Sequence, residues 1–146
     1  MIQQPKIIKG GSHTDHRGKV SFMNDFDMTE VKRSYVIFHP ETDIIRAWRA
    51  HKIEQRWFHA LDGGFLIRLV KIDNWESPDK DLPVQEFTLT AENIEVLYIP
   101  AGYGSSIQAV EKNSKLIVFG DYGIENAKLD DYLYPADFFG HKENNS

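Results

Sequence analysis

Short β-rich runs recur along this chain with turn residues between them, and that rhythm limits the fold more than any other feature. The runs are "PKIIKG", "KVSFMNDF", "SYVIFH", "IIRAWRAH", "QRWFHAL", "GFLIRLVKI", "VQEFTLT", "IEVLYIPA", "SSIQAVE" and "KLIVFGDY". Between them fall "GGSHTDHRG", "HPETD", "LDGG", "NWESPDKDLP" and "AGYG", where glycine, proline, aspartate and asparagine favour turns. Strands spaced by turns every eight to twelve residues or so predict an all-β sandwich or barrel. No long apolar period of 3.6 appears, and the best helical candidate is the short "NAKLDDYLY" near the C-terminus. The expected architecture is a jelly roll or a related β-barrel. It forms one domain over 1–140, with "HKENNS" (141–146) as a frayed tail.

The chain's 146 residues suit a single domain with a real core. Its 22 acidic residues against 17 Lys and Arg argue against a general nucleic-acid or anionic-membrane binder, while a single anionic substrate held by a few arginines fits. Cysteine is absent, which excludes disulfides, thiolate metal sites and cysteine nucleophiles. The start, "MIQQPKIIKGG", lacks the apolar core of a secretory signal, and no apolar run reaches membrane-spanning length. A soluble cytoplasmic protein is the expectation.

"WRAHK" raises a chemical question, because residues two apart on a strand share a face. Arg49 and His51 therefore point the same way as Ala47, and Arg46, Trp48 and Ala50 point the other. On the next run Gln55, Trp57, His59 and Leu61 oppose Arg56, Phe58 and Ala60. If the two strands form a hairpin with Arg49 and His51 inward, their companions are Gln55, Trp57 and His59. Several polar groups on one inward face imply a ligand cavity, since burial without partners is costly. The other reading puts this face in solvent and turns Arg46 and Trp48 inward.

"IPAG" after "VLY", with the histidine-bearing strand pair and Gly63-Gly64, resembles the two-part signature of the cupins, which are jelly-roll barrels. Metal-binding cupins carry H-x-H and P-x-G-x-x-H. Here Arg49 replaces the first histidine and Ser105 the last. An arginine in a ligand position repels a divalent cation, so no metal or other cofactor is expected. A closer resemblance runs through "DHRG", "VKRSYVIF", "RAWRAHKIEQ", "YIPAG" and "VFGDYG…LDDYLYPADFF". These resemble the metal-free cupins acting on nucleotide-linked 4-keto sugars: the WxcM-like dTDP-4-keto-6-deoxyhexose 3,4-ketoisomerases and the dTDP-4-dehydrorhamnose 3,5-epimerases. The isomerase pattern "KRVYYIF…RGFHAHK" is matched in order by "KRSYVIF" and "RAWRAHK". In the epimerase pattern Gln55 matches, whereas Trp57 stands in the lysine's place.

The resemblance implies a substrate, a nucleotide-linked keto sugar, and a set of roles. A ketone acidifies the hydrogen on the neighbouring carbon, and a base must take that proton while the enolate oxygen is stabilised. His51 matches the family's second histidine and is the implied base. Arg49 cannot be a base, but can polarise the ketone, hold a phosphate or lower the His51 pKa. Tyr122 in "GDYG" is the implied acid, with Tyr35 its rival. Arg33 and Arg46 are the implied diphosphate contacts, and Gln55, Trp57 and His59 complete the pocket. Arg17 in "DHRG" serves a turn or a phosphate. His13, His16, His39 and His141 are expected to be exposed. Members of the group are typically dimers, and the N-terminal run, if left as an unpaired edge, invites a second copy. Two other functions remain open: a binding-only relative without turnover, and a metal-dependent cupin enzyme.

Overall fold

The computed structural model describes residues 3–140. Its strands are β1 (Lys6–Lys9), β2 (Gly11–Asp15), β3 (Gly18–Phe22), β4 (Arg33–His39), β5 (Ile45–His51), β6 (Arg56–Asp62), β7 (Gly64–Lys71), β8 (Gln85–Thr90), β9 (Glu95–Ile99), β10 (Tyr103–Ala109), β11 (Ser114–Gly120) and β12 (Tyr132–Leu133). One five-stranded sheet has the order β1-β9-β6-β11-β4 and the second β12-β5-β10-β7-β8, while β2 and β3 form a separate hairpin. Every pairing is antiparallel. From β4 onward successive strands alternate between the two sheets, except that β7 and β8 form a hairpin within the second. Among the described residues no helix is long and apolar enough to cross a membrane.

Two differences from the sequence reading concern elements. β2, "GSHTD", pairs with β3 although its composition is that of a turn. The C-terminal candidate is a 3-10 helix over Ile124–Asp130 followed at once by β12, whose Tyr132 and Leu133 pair with Ala50 and Arg49 of β5. The frayed-tail expectation lies outside the described residues.

The space between the sheets is filled by Phe58, Phe65, Ile67, Leu69, Leu97, Ile99, Leu116 and Val118. The outer faces are covered as well. Phe26 and Met23, from the segment before β4, pack on Trp57, Val96 and Tyr98 outside the first sheet. Outside the second sheet the C-terminal segment lays Tyr134, Phe138 and Phe139 on Trp48, Ala50, Val70 and Ile72. Strands in both sheets are therefore apolar on two faces, and β6 is buried from Arg56 through Ala60.

That double burial defeats the hairpin expected between β5 and β6. The two strands lie in different sheets, and Lys52–Gln55 carries the chain across. Odd-numbered Arg49 and His51 face inward on β5, opposite Ser105 and Tyr103 of β10. After the crossing it is even-numbered Phe58 and Ala60 that enter the core. The expectation that Gln55, Trp57 and His59 share the cavity with His51 is corrected on this ground. Trp57 packs outside with Phe26 and Tyr98. Gln55 bonds Asp121 and Tyr98, and Nδ1 of His59 meets the Glu95 carbonyl.

Candidate active site

Between the β4 edge of one sheet and the β5–β12 edge of the other opens a cavity of about 930 Å³. Its wall carries Arg33, Tyr35, Arg46, Arg49, His51, Arg56 and Ser105, and the 3-10 helix contributes Ile124, Ala127 and Lys128. The register of β5 with β10 shifts between Ser105 and Ile107, so Ser105 faces Arg49 and Ile107 faces Arg46. This bulge brings Arg46 to the cavity beside Arg49, although simple alternation puts the two on opposite faces. Tyr122 lies half-buried in the turn after β11 and is not among the cavity's lining residues.

His51, 6% exposed, closes β5 at the inner wall. Its Nδ1 lies 2.7 Å from the backbone oxygen of Asp130. A carbonyl can only accept, so Nδ1 carries the proton and Nε2 keeps its lone pair. Nε2 is buried without a hydrogen-bond partner, and its nearest carboxylate oxygen is Oε2 of Glu54 at 3.9 Å. Burial first, and then the positive charges of Arg56, Arg33 and Arg49, hold the His51 pKa down at about 3. The imidazole is neutral at physiological pH.

Asp130 organises the crossing that follows. Its carboxylate, 1% exposed, accepts from the backbone N–H groups of Lys52, Ile53 and Glu54 at 2.7–3.0 Å. One residue thus fixes the tautomer of His51 through its main chain and the exit from β5 through its side chain. Nothing in the local sequence around "KLDDY" signals this contact with a segment 76–79 residues earlier.

Four arginines surround the cavity in four settings. Arg33 grips Glu54 with Nε and Nη2 at 3.0–3.3 Å, and burial raises the Glu54 pKa against that pull. Arg49, half exposed, pairs with Asp131 at 3.1 Å. Arg46 donates from Nε to Nε2 of His39 at 3.0 Å. His39 was expected to be exposed. Instead it ends β4 at 1% exposure, edge-on to Phe65, and burial followed by the Arg46 charge lowers its pKa. Arg56, which the sequence reading placed on the face away from His51, lies in the wall with Nη2 donating to Oγ of Ser105 at 2.6 Å.

Cationic walls, a neutral histidine with one free nitrogen, and a tyrosine make a site suited to an anionic ligand and to proton transfer. The family model described as FdtA, WxcM-like, C-terminal matches residues 3–143. The chain belongs to this WxcM-like C-terminal family. No curated protein matches it. Among solved structures it is similar to the 3,4-ketoisomerase QdtA of Thermoanaerobacterium thermosaccharolyticum, a double mutant in complex with TDP. The TM-score is 0.71 at 19% identity, over 99% of this chain and 98% of that one. The TDP-quinovose 3,4-ketoisomerase WlaRB of Campylobacter jejuni gives 0.68 at 22% identity, over 93% and 96%. The RmlC epimerase of Mycobacterium tuberculosis gives 0.73 at 12% identity, over 91% and 70%. The fold is the cupin-type jelly roll that the sequence resemblance implied. Among the described residues no three His, Cys, Asp or Glu side chains gather into a metal-binding group; His51 of β5 lines the cavity, whereas His59 of β6, in the other sheet, does not and meets the Glu95 carbonyl.

Proposed function

We propose that the chain is an isomerase or epimerase of a nucleotide-linked 4-keto sugar, with His51 as the base that removes the proton beside the ketone. The carrying observation is the environment of His51. Its Nδ1 is tied to a main-chain oxygen and its Nε2 is left without a partner, at the wall of a cavity bearing four arginines. The arginines suit a diphosphate, with Arg46 and Arg49 at the exposed rim. A pKa near 3 makes His51 a weak base in the free protein. A diphosphate bound at the rim offsets the Arg49 share of that depression and strengthens the base when substrate is present.

The acid role passes from Tyr122 to Tyr35. The Tyr35 side chain lines the cavity, and its hydroxyl oxygen accepts from Nη1 of Arg56 at 3.4 Å, so its own proton is free to be given away. Support for the substrate class comes from the related QdtA structures, which hold TDP and TDP-4-keto-6-deoxyglucose. A cytoplasmic, homodimeric protein that uses no metal completes the reading.

Deuterium wash-in from D2O, next to the ketone of dTDP-4-keto-6-deoxyglucose, tests it by NMR. Wild type is expected to exchange, and His51→Asn to lose about 10²–10⁴-fold in rate while still binding TDP. Wild-type exchange in His51→Asn overturns the assignment. TDP binding without any exchange in wild type favours the binding-only relative.

A further inference from the structure

Arg56 is buried, cationic and in no ion pair among the described residues; the Glu54 carboxylate, held by Arg33, acts on it only through space. It is 4% exposed, its guanidinium lies 4.8 Å from the centre of the Phe58 ring, and no carboxylate among the described residues pairs with it. Its partners are both neutral: Oγ of Ser105 at 2.6 Å and the Tyr35 hydroxyl at 3.4 Å. Arg33 on the same wall shows the contrast, since the fold supplies it with the two oxygens of Glu54. A buried ion left unpaired is destabilising, and a fold that keeps one has a use for the charge. Of the five N–H donors of a guanidinium, Arg56 engages two with the protein.

The position of Arg56 says which charge it meets. Arg46 and Arg49 are exposed at the rim, where a diphosphate has room, while Arg56 sits at the closed end with Ser105, Tyr35 and His51. With a diphosphate at the rim, that end is the part of the cavity left for a sugar. We propose that Arg56 and the Tyr35 hydroxyl form the oxyanion pocket of this site, holding the carbonyl oxygen whose neighbouring proton His51 removes. This rests on the reading of His51 as base to a keto sugar. In the step the C–H bond breaks and its proton passes to Nε2 of His51. The bonding pair becomes the C=C bond of the enolate, and the carbonyl π pair moves onto oxygen, against the guanidinium. A proton returned to carbon restores a ketone, so no oxidant or reductant takes part. A preorganised cation in a dry pocket acts on charge present only in the transition state and intermediate, so it raises kcat rather than affinity.

Arg56→Met and Arg56→Lys test this with the same exchange assay, TDP titration and thermal melts. Arg56→Met is expected to lose about 10²–10³-fold in kcat for exchange, to bind TDP within about twofold of wild type, and to melt no lower than wild type, because it replaces an unpaired buried charge by an apolar chain of similar length. Arg56→Lys, which keeps the charge but not the fork, is expected to fall between the two. A folded Arg56→Met that exchanges at the wild-type rate overturns the proposal. A loss of TDP affinity equal to the loss of rate also overturns it, because Arg56 then binds a ground-state anion. So does a folded Arg56→Lys as slow as the Met variant. If wild type itself does not exchange, the keto-sugar reading falls and this one falls with it; if only the Arg56 argument is wrong, wild-type exchange persists.

Discussion

His51 makes the fold acid-sensitive by an amount that can be worked out. In the folded chain its pKa is held at about 3, from an ordinary value of 6.5, by burial first and by nearby arginines second. The unfolded chain binds this proton once the pH drops below about 6.5, whereas the folded chain refuses it until about pH 3. Stability is therefore undiminished above 6.5 and falls as acid is added, by about 1.4 kcal/mol for each pH unit inside that window. At pH 5 the loss is about 2 kcal/mol, a sizeable part of the roughly 5–15 kcal/mol that holds a domain together. For a chain of this size it amounts to a drop of roughly 6–8 °C in melting temperature.

Wild type against His51→Asn isolates this contribution. Asparagine can still donate to the Asp130 carbonyl, and it has nothing to titrate between pH 8 and pH 4. His39, whose pKa is also lowered by burial and then by Arg46, is present in both proteins and drops out of the difference. Urea unfolding at pH 7.5, 6, 5 and 4 gives the two stability curves. The packing lost with the imidazole is a constant offset, so the informative quantity is how the gap changes with pH. The variant is expected to gain about 2 kcal/mol on wild type between pH 7.5 and pH 5. Curves that stay parallel to within about 0.5 kcal/mol refute a depressed His51 pKa, and with it the neutral, Nδ1-protonated ring.

Asp130→Asn is expected to remove one or two of the charged hydrogen bonds to Lys52, Ile53 and Glu54, at about 1.5–3 kcal/mol each. Its melting temperature should fall by roughly 10 °C; a melt within about 2 °C of wild type would show that the carboxylate does not hold the crossing. Light scattering at micromolar concentration is expected to return a dimer mass. β1 is an outermost strand of its sheet, and the β2–β3 hairpin exposes Val20 and Phe22; a monomer mass contradicts this.

Most strands were legible because short β-rich runs are separated by stretches rich in glycine, proline, aspartate and asparagine. The exceptions are β2, whose "GSHTD" has no apolar residue to mark it, and the two-residue β12, which lies inside the run read as a helical candidate. Faces were harder to read than strands. Alternation identifies an inward face only when the other face meets water, and here Phe26, Met23 and the C-terminal aromatics cover the outer faces from far along the chain. β6 shows the consequence. Gln55, Trp57 and His59 make one stripe and Arg56, Phe58 and Ala60 the other, each mixing polar with apolar residues. Nothing in either stripe says which turns inward, and the parity changes where the chain crosses between sheets. His51 does line the cavity, where both the order of motifs and its shared face with Arg49 put it. Arg56 could have been found only by asking why a strand buried over five residues begins with an arginine. In a fold with two covered faces, either stripe of such a strand leads into apolar surroundings. A cation there is therefore one to examine for function whichever way the strand turns.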